Sequence, residues 1–445
     1  MTLERSVSFP QAVIYGVGVI VGTGIYTLIG IGAGITGNLL WLSFIIAGII
    51  ASLTAVSYAK LSTFFAKESA ESFYALKAFK SKKISFLTGY LSIIVWVFSV
   101  STVSWGLAAY AKSVISIEPI VIAIFSIILI SIINYLGIQK SVFINNILTL
   151  ITLFGLIIII FFGLPWIGKV NLFEGLDGLN LIENSFSLGN NLFSAAALIF
   201  FAFLGFEGLA NISEETRNPK KNIPKAIILS LFIVTILYVL ISIISVSVIS
   251  PSQLYNSTLS SSSSGPLALV AERLISPEFG FLLTLIAFCA IGSTLIVLLN
   301  VSSRILYGMS KQELAPKIFE YIDSRTKTPL VAILTVTFFS CLFTFFGNLE
   351  LLSYLCTMGI FLLFGIVNIS AILIHHELNP FSSKKNFVNK DTIIPLLGTI
   401  FCFLMLLTQY WKTTPIFGVE VPLIGVLVIA LLIGRLLYFG LIDRK

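Results

Sequence analysis

Long apolar runs, separated by short polar segments, dominate this sequence. The runs extend over about 20 residues without the strict alternation of a β-strand, and a helix needs about 20 apolar residues to cross a hydrocarbon core about 30 Å thick. The pattern therefore predicts membrane-spanning α-helices rather than a barrel of short strands. We assign twelve spans, near residues 10–35, 38–65, 84–111, 117–138, 142–167, 190–213, 223–250, 280–308, 328–347, 349–375, 391–411 and 420–441.

The first run is weakened near its middle by glycine. The stretch GVGVIVGTGIYTLIG, residues 16–30, contains five glycines, with Gly22-Thr23-Gly24 at its centre. Glycine destabilises a helix interior by about 1 kcal/mol relative to alanine. A broken membrane helix is tolerated where its free N–H and C=O groups line a cavity. As an alternative, pairs such as Gly18 and Gly22 would only allow close helix packing.

The sixth run is interrupted in the same way. In ALIFFAFLGFEGLANISEE, residues 197–215, Gly205 and Gly208 flank Glu207, the one acidic residue of 20 that lies well inside an apolar run. Interrupted helices at corresponding places in two halves indicate an inverted-repeat transporter with its site at the breaks. The offset of five spans predicts a first five-helix repeat at residues 1–168, a second at 190–376, and two additional helices at 391–445.

Two such breaks suit a zwitterionic amino acid. Its carboxylate can accept hydrogen bonds from the N–H groups at a half-helix N-terminus, and its ammonium can donate to carbonyls at a half-helix C-terminus. Glycine at the break lets a ligand approach the backbone closely.

Composition and charge agree with a membrane protein and exclude other classes. Hydrophobic residues make up 57% of the 445 residues and charged residues 11%, with a mean hydropathy of +1.03, whereas soluble proteins are about 25% charged. If the N-terminus is cytoplasmic, 23 of the 27 basic residues fall in inner segments, as the positive-inside rule requires. Topology thus explains the net charge of +7, and no nucleic-acid partner is expected. The four outer basic residues are Lys112, Lys169, Arg273 and Lys412.

Metal and catalytic chemistry have little support. His375 and His376 are adjacent and point in different directions on a helix, so we interpret them as an interfacial pair. No embedded nucleophile, base and orienting group form a set, so no enzyme activity is expected. The cysteines lie inside spans, form no CxxC pair and are interpreted as packing residues: Cys289, Cys341, Cys356 and Cys402.

Several segments resemble the amino acid–polyamine–organocation (APC) superfamily. GVGVIVGTGIYTLIG is similar to its first-span signature, and FFAFLGFEGLANISEETRNPKKNIPKAI, residues 200–227, to its sixth span and following loop. SSRILYGMSKQELAP, residues 302–316, resembles the exit of the eighth span, and LCTMGI, residues 355–360, the tenth. The inner loop AKLSTFFAKESAESFY, residues 59–74, departs from the family's Pro-x-x-Gly-Gly turn.

The resemblance implies a LeuT-type fold of twelve helices, with broken helices 1 and 6, that moves amino acids or related amines by alternating access. It also implies a set of site residues. The substrate carboxylate would meet backbone N–H groups of Thr23, Gly24 and Ile25, and the ammonium would meet carbonyls of Ile20 and Phe203. Phe206 would be an aromatic gate, with Gly22 and Gly205 at the two breaks.

The driving force stays open between sodium, protons and exchange. Several proton-linked or sodium-independent members of the superfamily resemble one another in a fifth-span lysine whose ammonium occupies a cation position, but here that position aligns with Thr152. The eighth-span motif CAIGST resembles a sodium site that uses the carbonyl of Ala290 and the hydroxyls of Ser293 and Thr294. Hydroxyls in membrane helices also bond to their own or a neighbouring helix. Gly18 and Val21 would supply the first-span carbonyls of the sodium site.

Glu207 is the candidate for proton coupling, since an intramembrane carboxylate is a functional hypothesis by default. It would otherwise accept hydrogen bonds from the unwound backbone and hold the break. The only cofactor expected is a coupling Na+ or H+.

We expect a multi-pass permease of the cell membrane with both termini cytoplasmic and a neutral amino acid as substrate. A polyamine or organocation permease, which would want more acidic groups, and a membrane sensor that binds an amino acid without moving it are the alternatives. The sequence does not indicate an oligomeric state.

Overall fold

The computed structural model describes residues 6–67, 69–111, 117–175, 185–259, 265–347, 349–378, 390–409, 413–416 and 419–441. The helices of the first half are α1 (Phe9–Ile20), α2 (Thr23–Thr36), α3 (Leu40–Phe64), α4 (Ala70–Phe79), α5 (Lys82–Ala111), α6 (Pro119–Tyr135) and α7 (Ile138–Gly163). Those of the remainder are α8 (Ser185–Ile199), α9 (Gly208–Asn211), α10 (Pro219–Val248), α11 (Pro251–Leu259), α12 (Pro266–Leu274), α13 (Pro277–Lys311), α14 (Leu330–Phe346), α15 (Leu349–Leu378), α16 (Lys390–Gln409) and α17 (Leu423–Leu441).

The helices account for all twelve predicted spans. Nine segments of the described chain are long and apolar enough to cross a membrane, and the 56-residue segment Phe9–Phe64 contains the first two spans. Two apolar helices of 17 residues, α6 and α14, form the fourth and ninth spans, at the short end of the usual range. The predicted class, an all-α polytopic membrane protein with broken first and sixth helices, is confirmed.

A short β-hairpin is an addition that the hydrophobic pattern did not predict. Strands β1 (Thr413–Ile416) and β2 (Val419–Pro422) pair antiparallel between α16 and α17. The segments are only four residues long each, too short to produce a periodic signal.

The outer surface and the interior differ in side-chain type. Large apolar side chains are exposed on the outer helices, as at Phe161 with 69% and Leu436 with 70% exposure. The interior contains small and polar residues as well as a large set of buried apolar side chains. This distribution fits a lipid-facing exterior, because lipid provides no hydrophobic force to bury apolar side chains and favours small residues at helix contacts.

The broken first helix lies at the centre of the bundle. Helix α1 packs against α7, α10 and α13, whereas α2 packs against α8, α11 and α12. The breaks in the first and sixth spans are five spans apart, as a repeat of five plus five helices requires. The repeat boundaries at 1–168 and 190–376, and the assignment of 391–445 as additional helices, stay predictions.

Candidate functional site

The first break lies at Val21 and Gly22. Helix α1 ends at Ile20, Val21 has φ −78° and ψ 84°, and α2 begins at Thr23. A Cβ at Gly22 would overlap the Thr294 hydroxyl of α13. A glycine is therefore required here by the close approach of the eighth span.

The second break extends from Phe200 to Glu207. Helix α8 tightens into a 3₁₀ segment, Phe200–Phe203, before Leu204 becomes extended at ψ 147°. Gly205 then adopts φ +119°, a conformation that residues with a Cβ rarely adopt. The carboxylate of Glu207, only 2% exposed, accepts a hydrogen bond from the Gly205 N–H at 2.9 Å. This is the geometry of the structural interpretation of Glu207, in which the carboxylate holds the break.

The two breaks touch each other. A Cβ at Gly24 would overlap the backbone of Ala202, and one at Gly205 would overlap the side chain of Val19. The first N–H groups of α2 belong to Thr23, Gly24 and Ile25, and the first turn of a helix leaves such groups without an intrahelical acceptor. The backbone N–H groups that are predicted to donate hydrogen bonds to a substrate carboxylate therefore lie at the meeting point of the two broken helices.

A small cavity lies at this meeting point. Its volume is about 20 Å³, enough for about one water molecule and far below the 300–1,000 Å³ of typical ligand pockets. A substrate site at this position would therefore be closed in this structure and would have to expand to admit an amino acid. Most of its lining is apolar, and residues of the first, third, sixth and eighth spans contribute: Val19, Ile20, Gly24, Ser99, Val103, Phe201, Leu204, Thr294 and Leu298.

The two predicted aromatic residues of the sixth span lie outside this lining. Phe203 packs on Tyr238, with ring centroids 5.3 Å apart, and Phe206 packs on Tyr58 at 5.9 Å and on Phe364 at 5.4 Å. Phe206 does not line this cavity, and its role as an aromatic gate stays a prediction. The 3₁₀ turn and the positive φ of Gly205 redirect the chain, so that Phe201 and Leu204 form this wall instead.

Tyr238 of α10 connects the carbonyl ends of both half-helices. Its hydroxyl lies 2.6 Å from the Ile20 carbonyl oxygen and 3.1 Å from that of Ala202. Sequence reasoning assigned the Ile20 carbonyl to the substrate ammonium and missed Tyr238. A single tyrosine in an apolar run carries no signal that would identify it.

Four of the predicted sodium ligands lie close together: Gly18, Ala290, Ser293 and Thr294. The Ser293 hydroxyl lies 2.8 Å from the Ala290 carbonyl oxygen and 3.2 Å from that of Gly18. The Thr294 hydroxyl lies 3.2 Å from the same two carbonyl oxygens. The Thr294 hydroxyl also lies 3.3 Å from the Val19 carbonyl oxygen, and the role of the Val21 carbonyl stays a prediction.

These uncharged oxygen atoms fit a hard monovalent cation. The same hydroxyls also satisfy their hydrogen-bonding capacity with backbone carbonyls, so both interpretations of the sequence survive. In the described part of the chain, no group of three or more histidine, cysteine or acidic side chains is placed to hold another metal.

Two threonines of the fifth span, Thr149 and Thr152, make different contacts. Thr152 is buried and donates to the Leu148 carbonyl of its own helix at 2.9 Å. The side chain that fills the space beside Gly18 is Thr149, with Asn145 next to it. The assignment of Thr152 to the aligned cation position stays a prediction.

Comparison with known proteins identifies the family. The model of the family described as "Amino acid permease" matches residues 7–433. The chain belongs to this family.

Relatives of this permease include proteins with different named substrates. The branched-chain amino acid permease BcaP of Bacillus subtilis is 27% identical, over 100% of this chain and 94% of that protein. The methylthioribose transporter of Bacillus subtilis is 26% identical, with the same coverage of 100% and 94%. The mitochondrial cationic amino acid transporter 3 of Arabidopsis thaliana is 28% identical over 85% of this chain, but the match spans only 63% of that protein.

A buried polar network lies where α3, α4 and α9 meet. Glu71 of α4 is fully buried and accepts hydrogen bonds from the Tyr58 hydroxyl at 3.2 Å and from Asn211 Nδ2 at 3.0 Å. Asn211 in turn accepts from the Ala70 N–H at 2.8 Å. Burial raises the pKa of Glu71 from 4.5 to about 7. Sequence reasoning missed this cluster because Glu71 lies in a short polar segment.

A buried ion pair and backbone hydrogen bonds connect α13, the segment after α9 and the residues before α1. Arg304 of α13 and Glu215, just after α9, are 0% and 1% exposed and lie 3.2 Å apart. Glu215 also accepts a backbone hydrogen bond from Val7, and Val7 accepts one from Arg217. The residues preceding α1 are thus tied to the end of the sixth span. Both charged residues lie in quoted motifs, but their pairing was not predicted.

Proposed function

We propose that this chain is a secondary active transporter that moves a neutral amino acid across the cell membrane by alternating access. The observation that carries the proposal is the meeting of the two broken helices. There the first N–H groups of α2 lie beside Ala202 of the 3₁₀ segment, and the carbonyl oxygens of Ile20 and Ala202 lie within hydrogen-bond distance of the same Tyr238 hydroxyl. These are complementary partners for a carboxylate and an ammonium.

The lining of the cavity supports an apolar side chain. None of the described lining residues is charged, and Val103, Phe201 and Leu298 are apolar. A cationic or polyamine substrate would leave an unpaired charge in this environment, which is costly. A branched aliphatic amino acid fits best, and one relative is named as a branched-chain amino acid permease.

Uptake into proteoliposomes tests the proposal. Purified protein should concentrate a labelled branched-chain amino acid inside vesicles, and a thermal-shift screen of the twenty amino acids should rank aliphatic ones first. Specific binding without uptake would support the sensor alternative. Uptake of a polyamine but of no neutral amino acid would overturn the substrate class.

We further propose that sodium binding at Gly18, Ala290, Ser293 and Thr294 drives uptake. The variant S293A/T294V should require at least about tenfold more sodium for half-maximal uptake, because it loses two of the oxygen ligands. T399V removes a hydroxyl that bonds only within α16 and is the control. Uptake by the control and the variant with equal sodium dependence would exclude this site.

Proton coupling is the alternative and depends on Glu207. If Glu207→Gln keeps the full pH dependence of uptake, its proton role is wrong, and the carboxylate only holds the Gly205 N–H. Exchange of one substrate for another would show as uptake that requires internal amino acid and no ion gradient.

A further inference from the structure

A second, larger cavity lies on the side of the molecule that carries the basic loops. Its volume is about 640 Å³. It is located between the residues that follow α3 and the first turn of α10, away from the two broken helices. Nothing in the proposed transport mechanism uses it.

One wall of this cavity is aromatic. Phe64, Phe65 and Phe73 line it, with ring centroids 6.3 Å apart between Phe64 and Phe65 and 5.5 Å apart between Phe65 and Phe73. Phe64 remains 41% exposed. The wall therefore offers an apolar surface at the end of a membrane span, where acyl chains reach.

The opposite side is basic. Lys67, Lys220 and Lys221 line the cavity, and no acidic side chain lines it among the described residues. Lys220 and Lys221 belong to the first turn of α10, which holds no acidic residue. A helix N-terminus carries a partial positive charge. The ammonium groups of two lysines in the first turn are therefore unfavourable there, and a bound anion would offset this repulsion.

The lysines are only weakly neutralised by the protein. Lys67 lies 3.9 Å from Glu214, and Glu214 also lies 3.4 Å from Lys311. One carboxylate is therefore shared between two ammonium groups. A further cation, Lys77, lies 5.5 Å from the centre of the Phe73 ring.

We propose that this cavity binds an anionic phospholipid, with the phosphate between Lys67, Lys220 and Lys221 and an acyl chain along Phe64, Phe65 and Phe73. Basic pockets between helices on the cytoplasmic side of membrane proteins suit lipid head groups. A free phosphate ion would use the lysines but leave the aromatic wall without a partner. A zwitterionic lipid would bring its own ammonium into a site that is already basic.

Native mass spectrometry of the purified full chain tests the proposal. The protein is titrated with phosphatidylglycerol or with phosphatidylcholine of the same acyl chains. The variant K67Q/K220Q/K221Q is compared with K140Q/K317Q/K327Q, which removes three exposed lysines on the same side of the molecule. Equal thermal unfolding midpoints for the two variants show that both are folded.

We expect wild type and the control variant to bind one phosphatidylglycerol with the same affinity and to prefer it over phosphatidylcholine. In K67Q/K220Q/K221Q the apparent Kd should rise about 100-fold, since each lysine near an anionic lipid contributes about fivefold. Equal affinities of the two triple variants would overturn the proposal. If K67Q/K220Q/K221Q does not fold, K220Q/K221Q carries the same test with an expected rise of about 25-fold.

Two further arms separate the lipid from a phosphate ion. A large excess of inorganic phosphate should not displace phosphatidylglycerol, and Phe64→Ser should weaken lipid binding with all lysines present. Displacement by phosphate, together with full binding by Phe64→Ser, would show a site for the ion alone and overturn the lipid assignment.

Discussion

At the residue scale, one hydroxyl controls the carbonyl ends of both broken helices. Tyr238 carries a single proton, which it can donate either to Ile20 or to Ala202. The Ile20 carbonyl oxygen also accepts a hydrogen bond from the Gly22 N–H at 3.0 Å. In the proposed transport function, a substrate ammonium would compete with this hydroxyl for the carbonyl oxygens of Ile20 and Ala202.

We expect Tyr238→Phe to reduce uptake of the preferred amino acid about fivefold. Loss of a buried hydrogen bond costs about 1 kcal/mol, which is about fivefold in an equilibrium between arrangements. Initial uptake rates in proteoliposomes measure the effect. Tyr255→Phe, on α11 at 38% exposure, is the matched control, and uptake by Y238F within twofold of the control would contradict the assigned role.

Glu71 makes the stability of the protein depend on pH. Its carboxyl binds a proton below about pH 7 in the folded chain, compared with about 4.5 ordinarily. Stability is therefore fully present below pH 4.5 and falls as the pH rises through 7, by about 3 kcal/mol for this group. The cause is burial, which penalises the charged form of the carboxyl.

Glu71→Gln should remove this loss. We expect the apparent Tm of wild type in detergent to fall by several degrees more between pH 5 and pH 8 than that of the variant. Glu118→Gln, at an exposed position, should follow wild type. Parallel pH profiles of E71Q and wild type would show that the carboxyl titrates outside this range.

At the scale of elements, contacts connect the start of the first span, the end of the sixth span and α13. Arg304 connects α13 to the residues after α9, and the Val7–Thr216 bridge connects the start of the first span to the same segment. In the proposed alternating-access cycle, opening the site on the side where these contacts lie would require them to separate. A buried charged pair is well suited to such a contact, because each partner is costly to bury alone but can be hydrated when the elements part.

Arg304→Gln should destabilise the protein by about 3–5 kcal/mol, because it leaves the Glu215 carboxylate buried without its partner. The double variant R304Q/E215Q should recover part of this loss, since no charge then stays unpaired. Thermal unfolding of the two single variants and the double variant gives the coupling between them. Lys82→Gln, in an exposed pair with Glu313, should lower stability by less than about 1 kcal/mol. An equally small loss of stability in R304Q would contradict the assigned role of the buried Arg304–Glu215 pair.

At the scale of the whole molecule, the distribution of basic residues predicts the orientation in the membrane. In a cysteine-free background, Phe173→Cys and Ile318→Cys introduce thiols at positions that are 59% and 61% exposed. Because the four outer basic residues include Lys169, we expect Phe173→Cys to react with a membrane-impermeant maleimide in intact cells. Ile318→Cys should react only after permeabilisation, and the opposite pattern would invert the topology.

The sequence predicted the spans and the places where two of them break. Hydrophobic runs report span length directly because the bilayer thickness sets it, and the glycines at Gly22 and Gly205 mark local backbone requirements. The resemblance of CAIGST to a family motif implied that Ser293 and Thr294 lie near Gly18, and their hydroxyls lie 3.2 Å from its carbonyl oxygen. Sequence reasoning missed the hairpin after α16, whose strands are too short to produce a pattern.

What the sequence determined by itself is therefore the membrane architecture, the positions of the membrane spans and the positions of the breaks, because each depends on residues that are close together in the chain. Only the tertiary structure decided which side chains meet there. Tyr238 lies 218 residues from Ile20, and Arg304 lies 89 residues from Glu215. Such partners are chosen by the packing of whole helices, whose rotation and depth set which face of α7 presents Thr149 to Gly18 and which turn of the sixth span lines the cavity.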